Sequence, residues 1–556
     1  MVDKPWLQSY PDTIRAEIDY RQYNSVAAFF SHSAKTYAER PAFTNMGKTL
    51  TFSEIDQLSD QFARWLQHSA KLNKGDRIAI MMPNLLQFPI VLFGALRAGL
   101  IVVNTNPLYT DRELKHQLKD SGARAIVIVE AFAHTLADVI EDTGVETVVT
   151  TRFGDMLGLL KGSLVNFVVR HVKKMVPPFS LPQAVSLKSV LETGATLPAL
   201  QDPGIEIEDV AFLQYTGGTT GLAKGAMLTN ANLLANTAQA KEWISMVDLK
   251  PGHEVIVTAL PLYHIFALTA NCLTFVMLGA ENVLITNPRD LPQFIKTLKG
   301  CKMSVITGVN TLFNALLNTP GIETVDFSHL KVTLGGGMAV QRAVADKWQQ
   351  VTGSTLVEAY GLTEASPAVC INPLDLKEYN GAIGLPISST ECAIKDEAGN
   401  DLPTGERGEL CVRGPQVMKG YWKREDATAE AIDSDGWLHT GDVAIMDENG
   451  FVRIVDRLKD MILVSGFNVY PNEIEDVLAM HPGVLEVGAI GVPDEHSGEV
   501  VKVVLVRSDP NLTEEDVRAH CKENLTGYKR PKIIQFVDEL PKTTVGKILR
   551  RELRDS

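Results

Sequence analysis

The chain has 556 residues, of which 45% are apolar and 22% are charged, a balance typical of folded proteins with more than one domain. Its net charge of −14 excludes nucleic acid as the main partner, because binding along phosphate backbones needs a broad basic surface. The six cysteines form no Cys-x-x-Cys pair, and no stretch has the pattern of a signal peptide or a membrane span, so we expect a cytoplasmic protein.

Up to about residue 350, helical periodicity alternates with short β-branched runs. The predicted strands are 77–81, 125–129, 146–149, 254–258, 282–285 and 303–306, and the predicted helices are 51–67, 89–98, 112–119 and 291–298. This alternation predicts an α/β fold in which helices cover both faces of doubly wound parallel sheets.

Residues 163–176 place apolar side chains at helical spacing beside three basic residues, Arg170, Lys173 and Lys174. The apolar positions are Leu164, Phe167, Val168, Val172 and Met175. Our first expectation is that this stripe packs into the core. The alternative is a basic amphipathic helix that lies on an anionic bilayer.

Residues 215–226 read Tyr-Thr-Gly-Gly-Thr-Thr-Gly-Leu-Ala-Lys-Gly-Ala and lie between an apolar run at 210–213 and a helix that begins near Asn230. Glycines let several backbone N–H groups point at one anion, threonines add hydroxyl donors, and Lys224 adds a positive charge. We therefore predict a phosphate-binding loop, with a plain surface turn as the alternative. It is not a Walker A loop, because Lys224 is preceded by Ala223 and followed by Gly225, so the Gly-Lys-Ser/Thr of that motif is absent.

A second cluster combines the glycines at 335–337 with Glu358-Ala-Tyr-Gly-Leu-Thr-Glu364. An aromatic ring, glycines, a hydroxyl and a carboxylate together can stack a base, approach a phosphate and hold Mg²⁺, which takes only one or two protein carboxylates at a nucleotide. Glu364 is the candidate ligand. Read alone, it would be a solvated loop acid.

From about residue 382 to 455 short strands are separated by turns, which predicts a β-rich subdomain. It contains Asp435-Gly-Trp-Leu-His-Thr-Gly-Asp442, followed by Asp456-Arg457. Asp442 can accept both hydroxyls of a ribose or, equally well on this pattern alone, cap a tight turn.

A compact α/β segment follows, with predicted helices near 471–480 and 514–524 and strands near 487–490 and 501–506. We place the domain boundary at Lys459. Near the end, Pro-Lys-Thr-Thr-Val-Gly-Lys at 541–547 can project Lys547 from a bend at Gly546 toward an anion. The alternative is a solvated basic face shared with Arg550 and Arg551.

Together these motifs resemble the adenylate-forming superfamily of acyl-CoA synthetases, luciferases and peptide-synthetase adenylation domains. The resemblance runs in order from about residue 50 to Arg551. The segments 259–266, 436–442 and 461–473 are most similar to bacterial long-chain fatty acyl-CoA synthetases. The resemblance implies an AMP-binding domain over 1–458, with the β-rich subdomain at about 382–457. It also implies a mobile C-terminal domain over 459–556 that is hinged at Lys459.

The resemblance also implies site residues. The loop around the β- and γ-phosphates of ATP comprises Tyr215, Thr216, Gly217, Gly218, Thr219, Thr220, Gly221 and Lys224. Gly335, Gly336, Gly337, Tyr360 and Gly361 would lie around the adenine, and Asp442 and Arg457 at the ribose. Thr363 would contact the α-phosphate, Glu364 and Thr216 would hold Mg²⁺, and Lys547 would bridge the carboxylate and the α-phosphate.

Coenzyme A would reach the acyl group past Gly466, and a basic patch of Lys529, Arg530 and Lys532 would either meet its phosphates or simply be solvated. The positions that match the acyl channel of relatives are His264, Phe266, Val309, Asn310 and Phe313, for which ordinary core packing is the alternative. His264 is also the fourth candidate catalytic residue, beside Lys547, Thr363 and Glu364.

The implied activity is ATP-dependent conversion of long-chain fatty acids to acyl-CoA through an acyl-adenylate, which would feed β-oxidation and lipid synthesis. An enzyme that loads a carrier protein is the alternative. A non-catalytic binding protein is disfavoured, because Lys547, Glu364, Asp442 and Arg457 are all present. Acyl length, homodimer formation and peripheral contact with the cytoplasmic face of the membrane stay open.

Overall fold

The computed structural model describes residues 4–216, 223–494 and 496–554. Its strands are β1 Pro41–Asn45, β2 Lys48–Thr51, β3 Arg77–Met81, β4 Ile101–Asn104, β5 Ala125–Val129, β6 Thr147–Thr151, β7 Val185–Ser186, β8 Val210–Thr216, β9 Lys224–Thr229, β10 Val255–Thr258, β11 Glu281–Leu284, β12 Val305–Gly308, β13 Val332–Gly336, β14 Leu356–Gly361, β15 Ala368–Ile371, β16 Leu385–Pro386, β17 Glu391–Lys395, β18 Arg407–Arg413, β19 Leu438–Met446, β20 Val452–Arg457, β21 Ile462–Val464, β22 Phe467–Val469, β23 Val484–Asp494, β24 Gly498–Arg507 and β25 Ile533–Val537.

Its α-helices are α1 Val26–Thr36, α2 Phe52–His68, α3 Gln87–Arg97, α4 Asp111–Ser121, α5 Ala133–Val139, α6 Leu159–Phe167, α7 Leu187–Gly194, α8 Asn230–Ile244, α9 Thr274–Met277, α10 Leu291–Lys299, α11 Asn310–Leu317, α12 Arg342–Thr352, α13 Glu425–Ala431, α14 Pro471–Ala479, α15 Glu514–Asn524 and α16 Arg550–Arg554. A wider π-helical turn at Val168–Val172 follows α6, and another at Ala267–Leu273 precedes α9.

Four sheets organise these elements. A seven-stranded sheet has the order β7-β6-β5-β3-β4-β8-β9, and a nine-stranded sheet has the order β16-β15-β14-β13-β12-β10-β11-β1-β2. Both are parallel in their central strands. Strands β17 to β20 form an antiparallel sheet, and the C-terminal strands form a five-stranded sheet in the order β22-β21-β24-β23, with β25 beside β24. The predicted α/β fold is therefore confirmed, together with its β-rich part.

One apolar cluster joins the two large sheets to the helices packed on them. In that cluster Phe30 of α1 stacks on Phe93 of α3, with ring centroids 3.8 Å apart. Helix α8 begins directly after β9 because Thr229 and Asn232 form a capping box, in which each side chain accepts from the other residue's backbone N–H. The start of this helix is thus fixed next to the predicted phosphate loop.

The predicted strands at 77–81 and 125–129 have the observed bounds of β3 and β5, and the helix at 514–524 has those of α15. The other predicted elements are confirmed with ends displaced by a few residues. In the parts of the chain that the structure describes, no helix has both the length and the apolarity to cross a membrane.

The expectation that the apolar stripe of 163–176 packs into the core is wrong. Helix α6 and the π-helical turn after it lie on the surface, and Leu164, Phe167 and Val172 are 62%, 58% and 64% exposed. The side of α6 that meets the protein body carries Gly162, whose backbone approaches Gly154 too closely to admit a side chain. The stripe therefore faces outward.

Candidate active site

A cavity of about 120 Å³ lies against β12, β13 and β14 of the nine-stranded sheet, with its polar end at the carboxyl ends of β13 and β14. Ligands bind at such strand ends in open α/β sheets. Its polar mouth is lined by His264, Gly336, Gly337, Tyr360, Thr363 and Lys547. Its apolar interior is lined by Trp243, Ile244, Leu249, Phe275 and Leu374, among others. A polar mouth over an apolar interior suits a ligand with a charged head and a hydrocarbon tail.

Glycines let backbone and neighbouring groups approach at the mouth. A Cβ added at Gly336 would lie 3.0 Å from the Ala359 carbonyl oxygen, and one at Gly361 would lie 2.2 Å from the Pro367 oxygen. Gly337 has a φ of +79°, which favours glycine, and an added Cβ there would meet the Lys547 Cε at 3.4 Å. Gly335 instead packs against Leu356 and Val340.

Tyr360, Asp442 and Arg457 form one connected group. The Tyr360 hydroxyl donates to Asp442 Oδ2 at 2.5 Å, and Arg457 Nε lies 3.1 Å from Asp442 Oδ1. Asp442 is a buried residue within β19 rather than the cap of a turn. An aromatic ring beside a paired carboxylate is the arrangement expected for an adenosine, with the ring under the base and the acid at the ribose hydroxyls.

Glu409 positions this segment, although the sequence motifs did not reveal it. Its Oε1 accepts from the Gly441 backbone N–H at 2.9 Å, and its Oε2 lies 2.8 Å from His439 Nδ1. Glu409 lies on β18, the antiparallel neighbour of β19, so only the pairing of these two strands could have indicated the contact.

Thr363 and Glu364 form a 3₁₀ turn directly after β14. The Tyr421 hydroxyl donates to Glu364 Oε1 at 2.7 Å, and Lys224 Nζ lies 4.7 Å from the centre of the same ring. Tyr421 thus brings the lysine of the glycine-rich segment next to the acid. It was missed because no phosphate-binding pattern surrounds it.

Thr216 and Lys224 are directly opposite residues at the end of the β8–β9 hairpin. The loop between them includes Gly217, Gly218, Thr219, Thr220 and Gly221, which lie outside the described residues. The Tyr215 hydroxyl donates to Asp120 at 2.7 Å, and Tyr215 is not among the residues that line the cavity. Glu364 and Thr216 offer a carboxylate and a hydroxyl, the oxygen donors that Mg²⁺ prefers, so they fit this ion.

Lys547 is held in the site by the bend before it. The Gly546 carbonyl accepts from the Thr311 hydroxyl at 2.8 Å, and a Cβ added at Gly546 would lie 2.8 Å from that hydroxyl oxygen. Thr543 closes the bend by accepting from the Lys547 backbone N–H at 3.0 Å. Burial and the nearby Arg457 charge lower the pKa of Lys547 to about 8.

His264 lines the mouth near Lys547. Burial, with a contribution from the Lys547 charge, lowers the pKa of His264 to about 3, so the imidazole is neutral at physiological pH. Its Nδ1 accepts from the Phe266 backbone N–H at 3.3 Å, which leaves a defined ring orientation. A neutral imidazole can hydrogen-bond a carboxylate without adding charge.

The other predicted acyl residues separate into two groups. Phe266 lines the cavity. Val309 lies beside Gly337 and Gly546, Asn310 hydrogen-bonds Gln341, and Phe313 packs on Trp348 with ring centroids 4.8 Å apart. These three residues are not among those that line the cavity. Trp243, on α8, lines it without having been predicted.

Two predicted positions are not among the residues that line the cavity. Gly466 is in the turn between β21 and β22, with open space where a Cβ would be, and Lys459 is exposed in the 3₁₀ turn Leu458–Asp460. In the basic patch, Lys529 Nζ lies 2.5 Å from Glu473 Oε1, and Arg530 donates to backbone carbonyls.

Comparison with known proteins places the whole chain. The family model of the AMP-binding enzymes matches residues 30–422, and that of the AMP-binding enzyme C-terminal domain matches residues 473–547. The long-chain-fatty-acid–CoA ligase of Escherichia coli O6:H1 is 57% identical over 552 residues, which cover 99% of this chain and 98% of the relative. The one from Haemophilus influenzae is 53% identical, covering 100% and 98%.

A solved structure extends the comparison. ATP-bound MatB from Rhodopseudomonas palustris superposes with a TM-score of 0.82 at 28% identity, covering 96% of this chain and 99% of that one. The family models include the β8–β9 hairpin, the segments 335–337 and 358–364, and Lys547, and the curated relatives also match across residues 423–472, which contain Asp442 and Arg457. The chain therefore belongs to the family of AMP-binding enzymes.

Proposed function

We propose that this enzyme activates long-chain fatty acids to acyl-CoA in two steps, through an acyl-adenylate, with ATP and CoA as co-substrates. The observation that carries the proposal is the position of Lys547 at the polar mouth of an apolar cavity. A fatty acid whose tail fills that cavity would place its carboxylate beside the lysine. The names of the similar proteins support the same substrate class.

In the first step a carboxylate oxygen attacks the α-phosphorus of ATP, and the bond to the bridging oxygen of pyrophosphate breaks. Two anions must approach each other, so the enzyme mainly has to position them and neutralise charge. The Lys547 ammonium would lie between them, the Thr363 hydroxyl would donate to the α-phosphate, and His264 would orient the carboxylate. In the second step the CoA thiol attacks the acyl carbon and AMP leaves.

The nucleotide would be held by the groups around the mouth. Tyr360 would lie against the adenine, Asp442 would accept the ribose hydroxyls and Arg457 would fix that carboxylate. Lys224 and Thr216 would contact the terminal phosphates. Mg²⁺, held by Glu364 and Thr216, would supply neutralisation of charge on pyrophosphate as it leaves.

We further propose that residues 459–556 rotate about Lys459 between the two steps. With Lys547 at the mouth, the arrangement suits adenylation, whereas Gly466 is not among the residues that line the cavity. Rotation would withdraw Lys547 and bring the Gly466 turn to the route of the CoA thiol. One site could then serve two different partners.

The test separates the half-reactions in the variant Lys547→Ala. Adenylation, measured as pyrophosphate release from ATP and a long-chain fatty acid, should fall by about 10²–10³, the scale of a lost electrostatic stabiliser. Thioester formation from supplied acyl-adenylate and CoA should stay near the wild-type rate. An equal loss of both half-reactions would contradict the assigned role of Lys547.

The acceptor and the location belong to the same proposal. Comparing CoA with an acyl carrier protein in the second half-reaction tests the acceptor, and faster transfer to the carrier would overturn the assignment of CoA.

Because long-chain fatty acids partition into bilayers, we also propose that the enzyme works in peripheral contact with the cytoplasmic face of the membrane. A homodimer is a further part of the proposal, which light scattering of the purified enzyme tests.

A further inference from the structure

We propose that the outward side of α6 and of the turn after it is the surface by which this enzyme docks on an anionic lipid bilayer. This docking face comprises Leu159, Leu160, Leu164, Phe167, Val172 and Met175, with Lys161, Arg170, Lys173 and Lys174. This inference rests on the proposed function in one respect: the proposed substrate is a long-chain fatty acid, which partitions into lipid bilayers. None of these residues lines the acyl cavity, so the docking face is a separate surface.

The apolar side chains of the docking face are unusually exposed. Leu159 and Leu160 are 83% and 91% exposed, and Met175 is 48% exposed. Single exposed apolar residues are ordinary, but contiguous ones mark sites of interaction with proteins or membranes. Here six exposed large apolar side chains lie within the 17 residues from 159 to 175.

The side of α6 that meets the protein body carries Gly162 and Asn166 beside the half-buried Val165, whereas the leucines of this helix lie on its outer side. A Cβ added at Gly162 would lie 2.2 Å from the Gly154 oxygen, so the two backbones are in contact. Asn166, one turn later, accepts from the Gly154 N–H at 2.8 Å and donates to Asp155 at 3.1 Å. A surface helix normally buries its apolar side. These contacts fix the opposite orientation and hold the leucines outward.

Charge selects the partner. Residues 158–176 contain four Lys or Arg and no Asp or Glu, in a chain whose net charge is −14. Lys173 and Lys174 are exposed, while Arg170 lies 3.5 Å from Glu130. Apolar side chains flanked by basic ones match a bilayer of anionic lipid, because the apolar groups can enter the acyl region while the basic groups contact the anionic headgroups. Two copies of the docking face would repel each other, which disfavours a symmetric dimer through it.

Vesicle sedimentation tests the proposal with full-length enzyme and vesicles of phosphatidylcholine mixed equally with phosphatidylglycerol, against phosphatidylcholine alone. Leu160→Asn with Phe167→Asn should lower the partition coefficient at least about tenfold, since both side chains leave the bilayer. Lys173→Gln with Lys174→Gln should lower it about fivefold per lysine on the anionic vesicles only. The exposed Met480→Asn and the pair Lys296→Gln with Lys299→Gln serve as matched controls and should bind as wild type.

Pyrophosphate release with fatty acid solubilised in neutral detergent separates this proposal from the proposed function. The docking-face variants should keep the wild-type rate there while losing vesicle binding. Vesicle binding that is unchanged in both variants would overturn the docking face, whatever the activity. It would also be overturned if light scattering showed a dimer that the Leu160 and Phe167 substitutions dissociate, because the surface would then join two copies.

Discussion

Two ionisable side chains at the cavity mouth owe their charge states to burial. His264 is neutral, because its pKa is lowered to about 3, and Lys547 is held close to its titration point, with a pKa of about 8. The pair therefore presents one positive charge to a bound carboxylate rather than two. A single ammonium can balance the entering anion without binding it so tightly that the first step stalls.

The pKa of Lys547 predicts how adenylation depends on pH. A lysine is charged below its pKa, so kcat/KM for ATP, which reports the free enzyme, should be level below pH about 8 and fall above it. Pyrophosphate release across that range measures the effect. Lys547→Arg is the control, because a guanidinium stays charged and its residual activity should lack the falling limb. The same limb in the arginine variant would show that another group titrates.

At the scale of elements, the connection between β14 and β15 shapes the mouth. Gly361 ends β14 so close to the next strand that an added Cβ would lie 2.2 Å from the Pro367 carbonyl oxygen. Tyr360 precedes it and Thr363 follows, so any displacement of this backbone moves two groups of the proposed nucleotide site. A glycine here is required by packing between backbones rather than by its φ angle.

We therefore expect Gly361→Ala to lower the free energy of unfolding by about 1–3 kcal/mol, the usual cost of overpacking, and to raise KM for ATP. Chemical denaturation and steady-state kinetics measure the two effects. Gly300→Ala is the matched control, because an added Cβ there meets its nearest neighbour at an ordinary 3.6 Å. Equal stability of both variants would contradict the packing argument.

Local pattern predicted most elements, because helices and strands follow from hydrophobic periodicity and from caps such as Thr229 with Asn232. It could not say which side of α6 meets the protein, since spacing defines a stripe but not its orientation. Gly162 and Asn166 decide that orientation through contacts with residues near Gly154.

Within the site, the glycine, threonine and lysine motifs located the mouth, but partners distant in sequence were missed. Tyr421 reaches Glu364 across 57 residues, and Thr311 reaches Gly546 across 235. Neither contact leaves a local pattern. The acyl cavity was likewise predicted only in part, because its lining combines residues of α8, such as Trp243, with strand ends that meet only in the folded chain.

At the scale of the whole molecule, the N-terminal and C-terminal parts meet beside a buried acid. Glu358 accepts from the Val340 N–H at 3.1 Å and from the Tyr379 hydroxyl at 3.2 Å. Burial raises the pKa of Glu358 to about 8, and the Asp476 carboxylate on α14 adds to the rise. Glu358 is therefore protonated at neutral pH in the folded protein, where the C-terminal part contributes to the rise of its pKa.

This raised pKa predicts that the contribution of Glu358 to stability falls as the pH rises. The folded protein keeps the Glu358 proton up to pH about 8, whereas the unfolded chain releases it near pH 4.3, so ionisation opposes folding between these values. The loss is at most about 1.4 kcal/mol per pH unit for this group. The Tm of Glu358→Gln relative to that of wild type should therefore rise as the pH is raised from about 5 to about 8. Identical slopes would contradict the shift.

In the proposed reaction Lys547, carried by the C-terminal part, promotes transfer of AMP to a fatty carboxylate. The most direct measurement is product analysis after purified enzyme is mixed with ATP, Mg²⁺ and a long-chain fatty acid in the absence of CoA. We expect pyrophosphate and an enzyme-bound acyl-adenylate, which added CoA converts to acyl-CoA and AMP. Formation of ADP and an acyl phosphate would contradict it.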